Sequence, residues 1–170
     1  MQQTSESTQM DEIIVFDAIP FGPCLMAASA WNRLKLIMKA AEERIGLCFA
    51  LLGKIRGSNI IVTETIEISK LSGCSCPYTS EQIRSIEKEA AKQNMMFVGL
   101  LHAHYSGSVP TPSDQELVLW LALMFKFDRP LLFFVISIES LKIAAYTIPP
   151  DVFAQLKDAI KLMKFEVEKK

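Results

Sequence analysis

Residues 96–101 form an apolar run without a single charged side chain, and Gly99 lies within it. A strand that is covered on both faces needs such a run, so this segment predicts a central strand of a sheet. Shorter runs of the same kind precede and follow it, and stretches with helical spacing separate them. This alternation predicts a mixed α/β fold, in which helices pack against a mostly antiparallel central sheet.

The individual elements follow from periodicity and from turn residues. Strands are predicted at residues 13–16, 47–52, 60–68, 96–102, 131–138 and 141–147, and helices at residues 25–43, 80–93, 111–127 and 150–165. Gly53 is predicted to end the second strand, and the turn at residues 56–59 connects that strand to the third one as a hairpin. Residues 1–11 are predicted to be a disordered polar N-terminus, which leaves residues 12–170 as one domain.

The charge composition of the chain argues against some classes of binding partner. With 18 basic and 19 acidic residues the net charge is −1, so we expect neither a nucleic-acid nor a membrane partner. The longest apolar run, residues 117–125, is too short to span a bilayer. The four cysteines lack CxxC spacing, and the polar start lacks the apolar core of a secretory leader, so we expect reduced thiols and a cytoplasmic location.

The two histidines of the chain, His102 and His104, are separated by one residue at the end of the predicted central strand. Side chains at positions i and i+2 of a strand point to the same face, so both imidazoles can reach one ion. Ser113, Asp114 and Glu116 follow at the start of a helix. Two imidazoles and a carboxylate, with a fourth position left for water, are typical of a catalytic zinc site. The spacing alone also fits two ordinary surface histidines.

Three segments, in this order, resemble the JAMM (MPN+) metalloprotease family: ERIGL at residues 43–47, HAHYSG at residues 102–107 and PSDQEL at residues 112–117. The family pattern has a Glu three residues before a Gly, then His-x-His-Pro, then Ser-x-x-Asp followed by an aliphatic residue. The resemblance covers nearly the whole chain and is greatest to the proteasome-lid deubiquitinase branch. Tyr105 stands where the family usually has Pro.

The resemblance implies a single MPN-type catalytic domain with one zinc ion. His102, His104 and a carboxylate would hold the zinc, which would lower the pKa of its bound water toward ~7. Glu43 is implied as the general base, and its alternative role is a solvated residue at a helix end. Ser113 is implied as the hydroxyl that stabilises the oxyanion, and its alternative role is the cap of a capping box with Glu116.

The identity of the third ligand is open between Asp114 and Glu116, because the family spacing from the first histidine falls on Gln115. If the loop has gained one residue, such as Val109, then the Ser and the aliphatic residue keep their family positions and the ligand is Glu116. We therefore predict a zinc–oxygen contact of about 2.0–2.2 Å from Glu116, with Asp114 in the first turn of the helix.

The resemblance implies a zinc isopeptidase that removes ubiquitin or a ubiquitin-like modifier from lysine side chains, with the modifier's tail bound along a sheet edge. Two alternatives are a peptidase that trims a ubiquitin-like sulfur-carrier protein and a non-catalytic MPN scaffold subunit. A second MPN domain or a proteasome-like assembly is the implied partner. Residues 71–78 are a candidate substrate loop, in which Cys74 and Cys76 are expected to be reduced thiols rather than metal ligands.

Overall fold

The computed structural model describes residues 11–19, 23–40, 45–57, 59–72, 80–104 and 112–167. Within these residues it contains seven strands and four helices, which confirms the mixed α/β class. In chain order they are β1 (Ile13–Ile19), β2 (Pro23–Ala27), α1 (Ala28–Lys39), β3 (Ile45–Arg56), β4 (Asn59–Ser72), α2 (Ser80–Ala91), β5 (Met96–His104), α3 (Asp114–Phe127), β6 (Leu132–Ser137), β7 (Ile143–Tyr146) and α4 (Pro150–Val167).

The strands close into a barrel in the order β1-β2-β4-β3-β5-β6-β7. Antiparallel pairs join β1 to β2, β3 to β4, β3 to β5 and β6 to β7, whereas β5–β6, β2–β4 and β1–β7 are parallel. Among the described residues, the parallel β1–β7 and β2–β4 contacts involve two residue pairs each. The long β3–β4 hairpin and the central position of β5 follow the prediction.

Strand β5 is buried from Phe97 to Ala103, and its two faces belong to different cores. Leu101 and Ala103 lie in a core that includes residues of α1, whereas Leu100 lies in a second core with residues of α2, α3 and α4. Because side chains alternate along a strand, His102 and His104 point to the side of Leu100. The histidines are therefore on the face that α3 covers.

Several boundaries predicted from the sequence are wrong. The first helix ends at Lys39 rather than at residue 43, and β4 continues to Ser72, so residues 71 and 72 belong to a strand and not to the predicted loop. Residues 25–27 are not the start of the first helix, since they extend β2, which pairs with β1 from Ala27 to Pro23. Gly53 does not end its strand, because β3 continues to Arg56 past a bulge at that glycine. A Cβ at Gly53 would overlap the carbonyl oxygen of Ile61, so the glycine allows β4 to approach closely.

The described cysteines differ in state. Cys24 is buried and free, whereas Cys48 is disulfide-bonded, so the expectation of reduced thiols is wrong for Cys48. Cys74 and Cys76, with the rest of the candidate substrate loop from residue 73 to 78, lie outside the described residues. In the parts of the chain that the structure describes, every helix is too short or too polar to cross a bilayer.

Candidate metal centre

Three predicted ligands meet where β5 ends and α3 begins. His104 Nε2 lies 3.0 Å from His102 Nδ1 and 3.0 Å from Glu116 Oε1, and His102 Nδ1 also contacts Glu116 Oε1. One ligand atom from each of the three residues lies within 4.8 Å of the others. The structure thus brings His102, His104 and Glu116 to a common point, whereas Asp114 is exposed in the first turn of α3.

The neighbouring strands fix the backbone that carries the histidines. His102 pairs with Cys48 of β3 on one side and with Val135 of β6 on the other. His104 pairs with Ser137, and its carbonyl oxygen accepts a hydrogen bond of 2.8 Å from Ile138 N–H. The His102 imidazole therefore projects from backbone that is paired on both sides, and the His104 imidazole from backbone that is paired with β6.

A capping box orients Glu116. The backbone N–H of Ser113 donates to Glu116 Oε2 at 2.6 Å, while the Ser113 hydroxyl accepts from the Glu116 N–H at 3.3 Å. One carboxylate oxygen therefore accepts the capping hydrogen bond at the start of the helix, and the other faces the histidines. Hydrogen bonds of this kind, from groups behind the ligands, hold metal-binding carboxylates in place in proteins.

Both imidazoles favour the neutral form. Burial, and after it the neighbouring His104, lower the pKa of His102 to about 3. Burial also lowers the pKa of His104 below its ordinary value. Because a metal ligand must present an unprotonated nitrogen, both side chains are in the state that coordination requires at neutral pH.

The residues present suit a divalent cation. The Glu116 side chain is only 4% exposed, and its ion-pair contacts within the described chain are the two histidines, which are neutral. A buried carboxylate without a positive partner is costly. His102 faces the other two residues with Nδ1, so this is the nitrogen that could bind an ion held among them. Two nitrogen ligands and one oxygen ligand match a zinc site with an open fourth position.

Ser113 occupies the capping position that was the alternative to its oxyanion role. The two roles do not exclude each other, because a hydroxyl that accepts a hydrogen bond still has its own proton to donate. Glu43 lies outside the described residues, as do Tyr105 and Val109. In the described part of this region, β3 begins beside the histidine end of β5, where Leu47 pairs with Ala103.

Sequence reasoning missed the backbone N–H of Ser113 as the group that orients Glu116. The Ser-x-x-Glu spacing was the available signal, since a capping box contains this hydrogen bond. A cavity of about 400 Å³ lies elsewhere, at the opposite end of β5, where Met96, Val98 and Leu132 contribute to its wall. The three clustered residues do not line that cavity.

Comparison with known proteins adds information on the fold. No family model and no curated protein matches the sequence. The solution structure of protein DSY2949 from Desulfitobacterium hafniense is similar with a TM-score of 0.53 and 19% identity, over 75% of this chain and 85% of that one. A protein from Salinibacter ruber is similar with a TM-score of 0.46 and 14% identity, over 74% of this chain and 82% of that one. The first similarity supports the fold alone.

Proposed function

We propose that this chain is a zinc-dependent hydrolase of amide bonds, and that it removes ubiquitin or a ubiquitin-like modifier from lysine side chains. The convergence of His102, His104 and Glu116 on one point carries the proposal of a metal hydrolase. The proposal of an isopeptidase rests on the resemblance of residues 43–47, 102–107 and 112–117 to the JAMM (MPN+) pattern.

His102, His104 and Glu116 would hold the zinc, which when bound polarises a carbonyl group and makes water acidic enough to attack it near neutral pH. The chain's own residues supply the proton transfers. Glu43 accepts a proton from the attacking water and later gives it to the leaving amine of lysine. Ser113 keeps its capping bond, and its hydroxyl donates a hydrogen bond to the carbonyl oxygen as negative charge develops there.

The substrate in this proposal has an extended C-terminal tail, which needs a free backbone edge. The part of β4 that pairs with only one described strand is the candidate for such an edge. Strand β4 pairs with β2 only at Ile61 and Val62, so beyond Val62 its described strand neighbour is β3 alone. Cys48 of β3 pairs with Ser69 of β4 on one side and with His102 of β5 on the other. Ser69 and His102 therefore lie at the same height along the sheet. A tail added to β4 would thus pass the level of the metal centre.

The decisive experiment measures zinc content and cleavage on the same preparation. We expect about one zinc per chain and release of the modifier from a modifier–lysine conjugate. Trimming of a C-terminally extended sulfur-carrier precursor, with the conjugate left intact, would favour the peptidase alternative. Protein without stoichiometric zinc and without turnover on either substrate would favour the MPN scaffold.

The general base is tested by a matched pair of neighbours. Glu43→Gln should keep its zinc and lose turnover by roughly 10² or more, the typical contribution of a positioned base. Glu42→Gln should retain parent turnover, because the family pattern places only Glu43 three residues before Gly46. If Glu42→Gln loses turnover and Glu43→Gln retains it, the general base is Glu42 and the assignment to Glu43 is wrong.

Partners and location complete the proposal. A second MPN domain is the proposed protein partner, since members of this family often work as pairs. A cytoplasmic location is part of the proposal, and the disulfide at Cys48 is the observation that counts against a reducing compartment.

A further inference from the structure

Trp120 lies one helical turn after Glu116 on α3, and it makes a directional contact with the sheet. Its side chain is buried, and Nε1–H donates a hydrogen bond of 2.9 Å to the carbonyl oxygen of Leu131. The indole also stacks on Phe133, with ring centroids 5.9 Å apart and an interplanar angle of 30°. The indole is therefore fixed both in position and in rotation by the start of β6.

Strand β6 is the parallel neighbour of β5, the strand that carries the histidines. Phe133 pairs with Leu100, and Val135 pairs with His102. The contact of Trp120 with Leu131 and Phe133 thus ties α3 to a strand whose register with β5 is fixed. Through this link the helix bearing one ligand is attached to the strand bearing the other two.

Residues four apart on a helix differ by only about 40° in direction, so Glu116 and Trp120 face the sheet together. A rotation of α3 that turned Glu116 away from the histidines would also break the Trp120 hydrogen bond. The other buried side chains of this helix, Leu123 and Met124, make apolar contacts, which have no comparable directional requirement.

We infer that Trp120 is a positioning residue of the metal centre. Its hydrogen bond to Leu131 sets the rotation and depth of α3, so that Glu116 Oε1 meets the two imidazoles. This inference rests on the proposed function, because it concerns the affinity of the same three residues for zinc. It assigns a role to a side chain that the sequence analysis includes only in the apolar run at residues 117–125.

The test separates the hydrogen bond from the packing of the ring. Trp31 and Trp120 are the two tryptophans of the chain. In a Trp31→Phe background, residue-specific replacement of tryptophan by benzothienylalanine changes Trp120 alone and keeps its shape without the N–H. Trp120→Phe is the simpler companion variant. Trp31→Phe itself is the matched control, because Trp31 packs edge-on against Phe16 in the α1 core, away from the histidine face.

Two readouts are used: zinc affinity by competition with a chelator, and the visible absorption spectrum of the cobalt(II)-loaded protein. We expect the two variants at position 120 to bind zinc roughly 10- to 100-fold more weakly, the range for groups that orient metal ligands. We also expect their cobalt bands to shift or change intensity, because the carboxylate is displaced. Trp31→Phe should match the parent in both.

Parent-like affinity and cobalt spectrum in the benzothienylalanine protein would overturn the positioning role and leave the proposed function intact. This isostere decides the matter even if Trp120→Phe does not fold. A parent protein that fails to bind zinc or cobalt stoichiometrically would overturn the proposed function and the inference together. The two failures are therefore distinguishable.

Discussion

A helix brings a carboxylate close to each end of β5, Glu87 from α2 and Glu116 from α3, but within the described residues only Glu87 of the two pairs with an arginine. At the end near Met96, Glu87 of α2 pairs with Arg129, whose Nη2 also donates to the Phe97 carbonyl oxygen at 2.7 Å. The guanidinium in addition lies over the Phe127 ring, 5.2 Å from its centroid. This end satisfies its charge within the protein.

At the other end, Glu116 is far more buried than Glu87, with side-chain exposures of 4% and 27%, and it faces neutral imidazoles. Its carboxylate is held by the backbone at the start of a helix rather than by a basic side chain. The difference indicates a structural ion pair at one end of the strand, and it supports our proposal that a cation binds at the other. Buried polar groups are functional candidates when the protein itself does not supply their partner.

The largest expected effect is a loss of zinc affinity. We expect it from a substitution at the histidine end of β5 and not from one at the Met96 end. Glu116→Ala should lower zinc affinity by roughly 10²- to 10³-fold, since zinc sites with four ligands bind with roughly 10–16 kcal/mol in total and this variant removes one ligand. Glu87→Ala should leave zinc affinity unchanged although it breaks an ion pair. Chelator competition on the purified variants measures both.

Asp114→Ala is the control for position in the helix, because Asp114 occupies the same first turn and is exposed. It should keep its zinc. Loss of zinc in Asp114→Ala with retention in Glu116→Ala would move the third ligand to Asp114. Equal loss in Glu116→Ala and Glu87→Ala would remove the distinction between the two ends of the strand.

The next largest effect tests the hydroxyl of Ser113. Ser113→Ala keeps the backbone N–H that orients Glu116, so zinc should stay bound. It removes the side-chain cap and the proposed oxyanion donor, so we expect a loss of about 1 kcal/mol in stability and of 10²–10³ in turnover. Ser113→Thr, which retains a hydroxyl, should recover most of both. Parent turnover in Ser113→Ala would leave Ser113 with a capping role only.

The zinc-free protein should lose stability as the pH falls below about 6.5. The pKa values of His102 and His104 are lowered by burial, so the unfolded chain binds protons in a range where the folded chain does not. Because the folded pKa of His102 is about 3, only the unfolded chain gains a proton at this residue between pH 6.5 and 5, so stability should fall by about 2 kcal/mol over that range.

Urea unfolding at pH 7.5, 6 and 5 measures this dependence. Because the chain has no other histidines, the double variant His102→Gln/His104→Gln isolates their contribution, and its stability should change less over the same range. Glu87→Gln should keep the parent's slope. A parent protein whose stability is flat from pH 7.5 to 5 would contradict buried neutral histidines.

Much of this site could be predicted from the sequence because its signals are local. The alternation of a strand places His102 and His104 on one face, and the Ser-x-x-Glu spacing signals the capping box that orients Glu116. The uncharged run at residues 96–101 identified β5 for the same reason. Each of these inferences depends on residues close together in the chain.

The features that the sequence did not reveal depend on contacts between distant segments. Residues 25–27 fit a helical pattern as well as a strand, and only pairing with β1 makes them β2. The barrel closes through short parallel contacts between β1 and β7 and between β2 and β4, which no local pattern encodes. The ion pair of Arg129 with Glu87 joins residues 42 positions apart, and nothing near either residue indicates it.

The smallest expected effect is a change in stability, and it is the most specific test of the contrast between the two carboxylates. The same Glu→Gln substitution should stabilise the protein at one end of β5 and destabilise it at the other. Glu116→Gln keeps an oxygen for the Ser113 N–H and removes a buried charge that lacks a cation, so the zinc-free protein should become about 1 kcal/mol more stable. Glu87→Gln leaves Arg129 without its carboxylate, so that variant should become about 1 kcal/mol less stable, a modest value because the pair is partly exposed. Urea unfolding of zinc-free protein at pH 7.5 measures both changes, and repeating it with zinc in excess supplies the control. Zinc should then stabilise the parent and Glu87→Gln but not Glu116→Gln, since an amide is a poor ligand. Destabilisation of zinc-free Glu116→Gln would mean that the protein already compensates this carboxylate, and the case for a missing cation at the histidine end of β5 would fail.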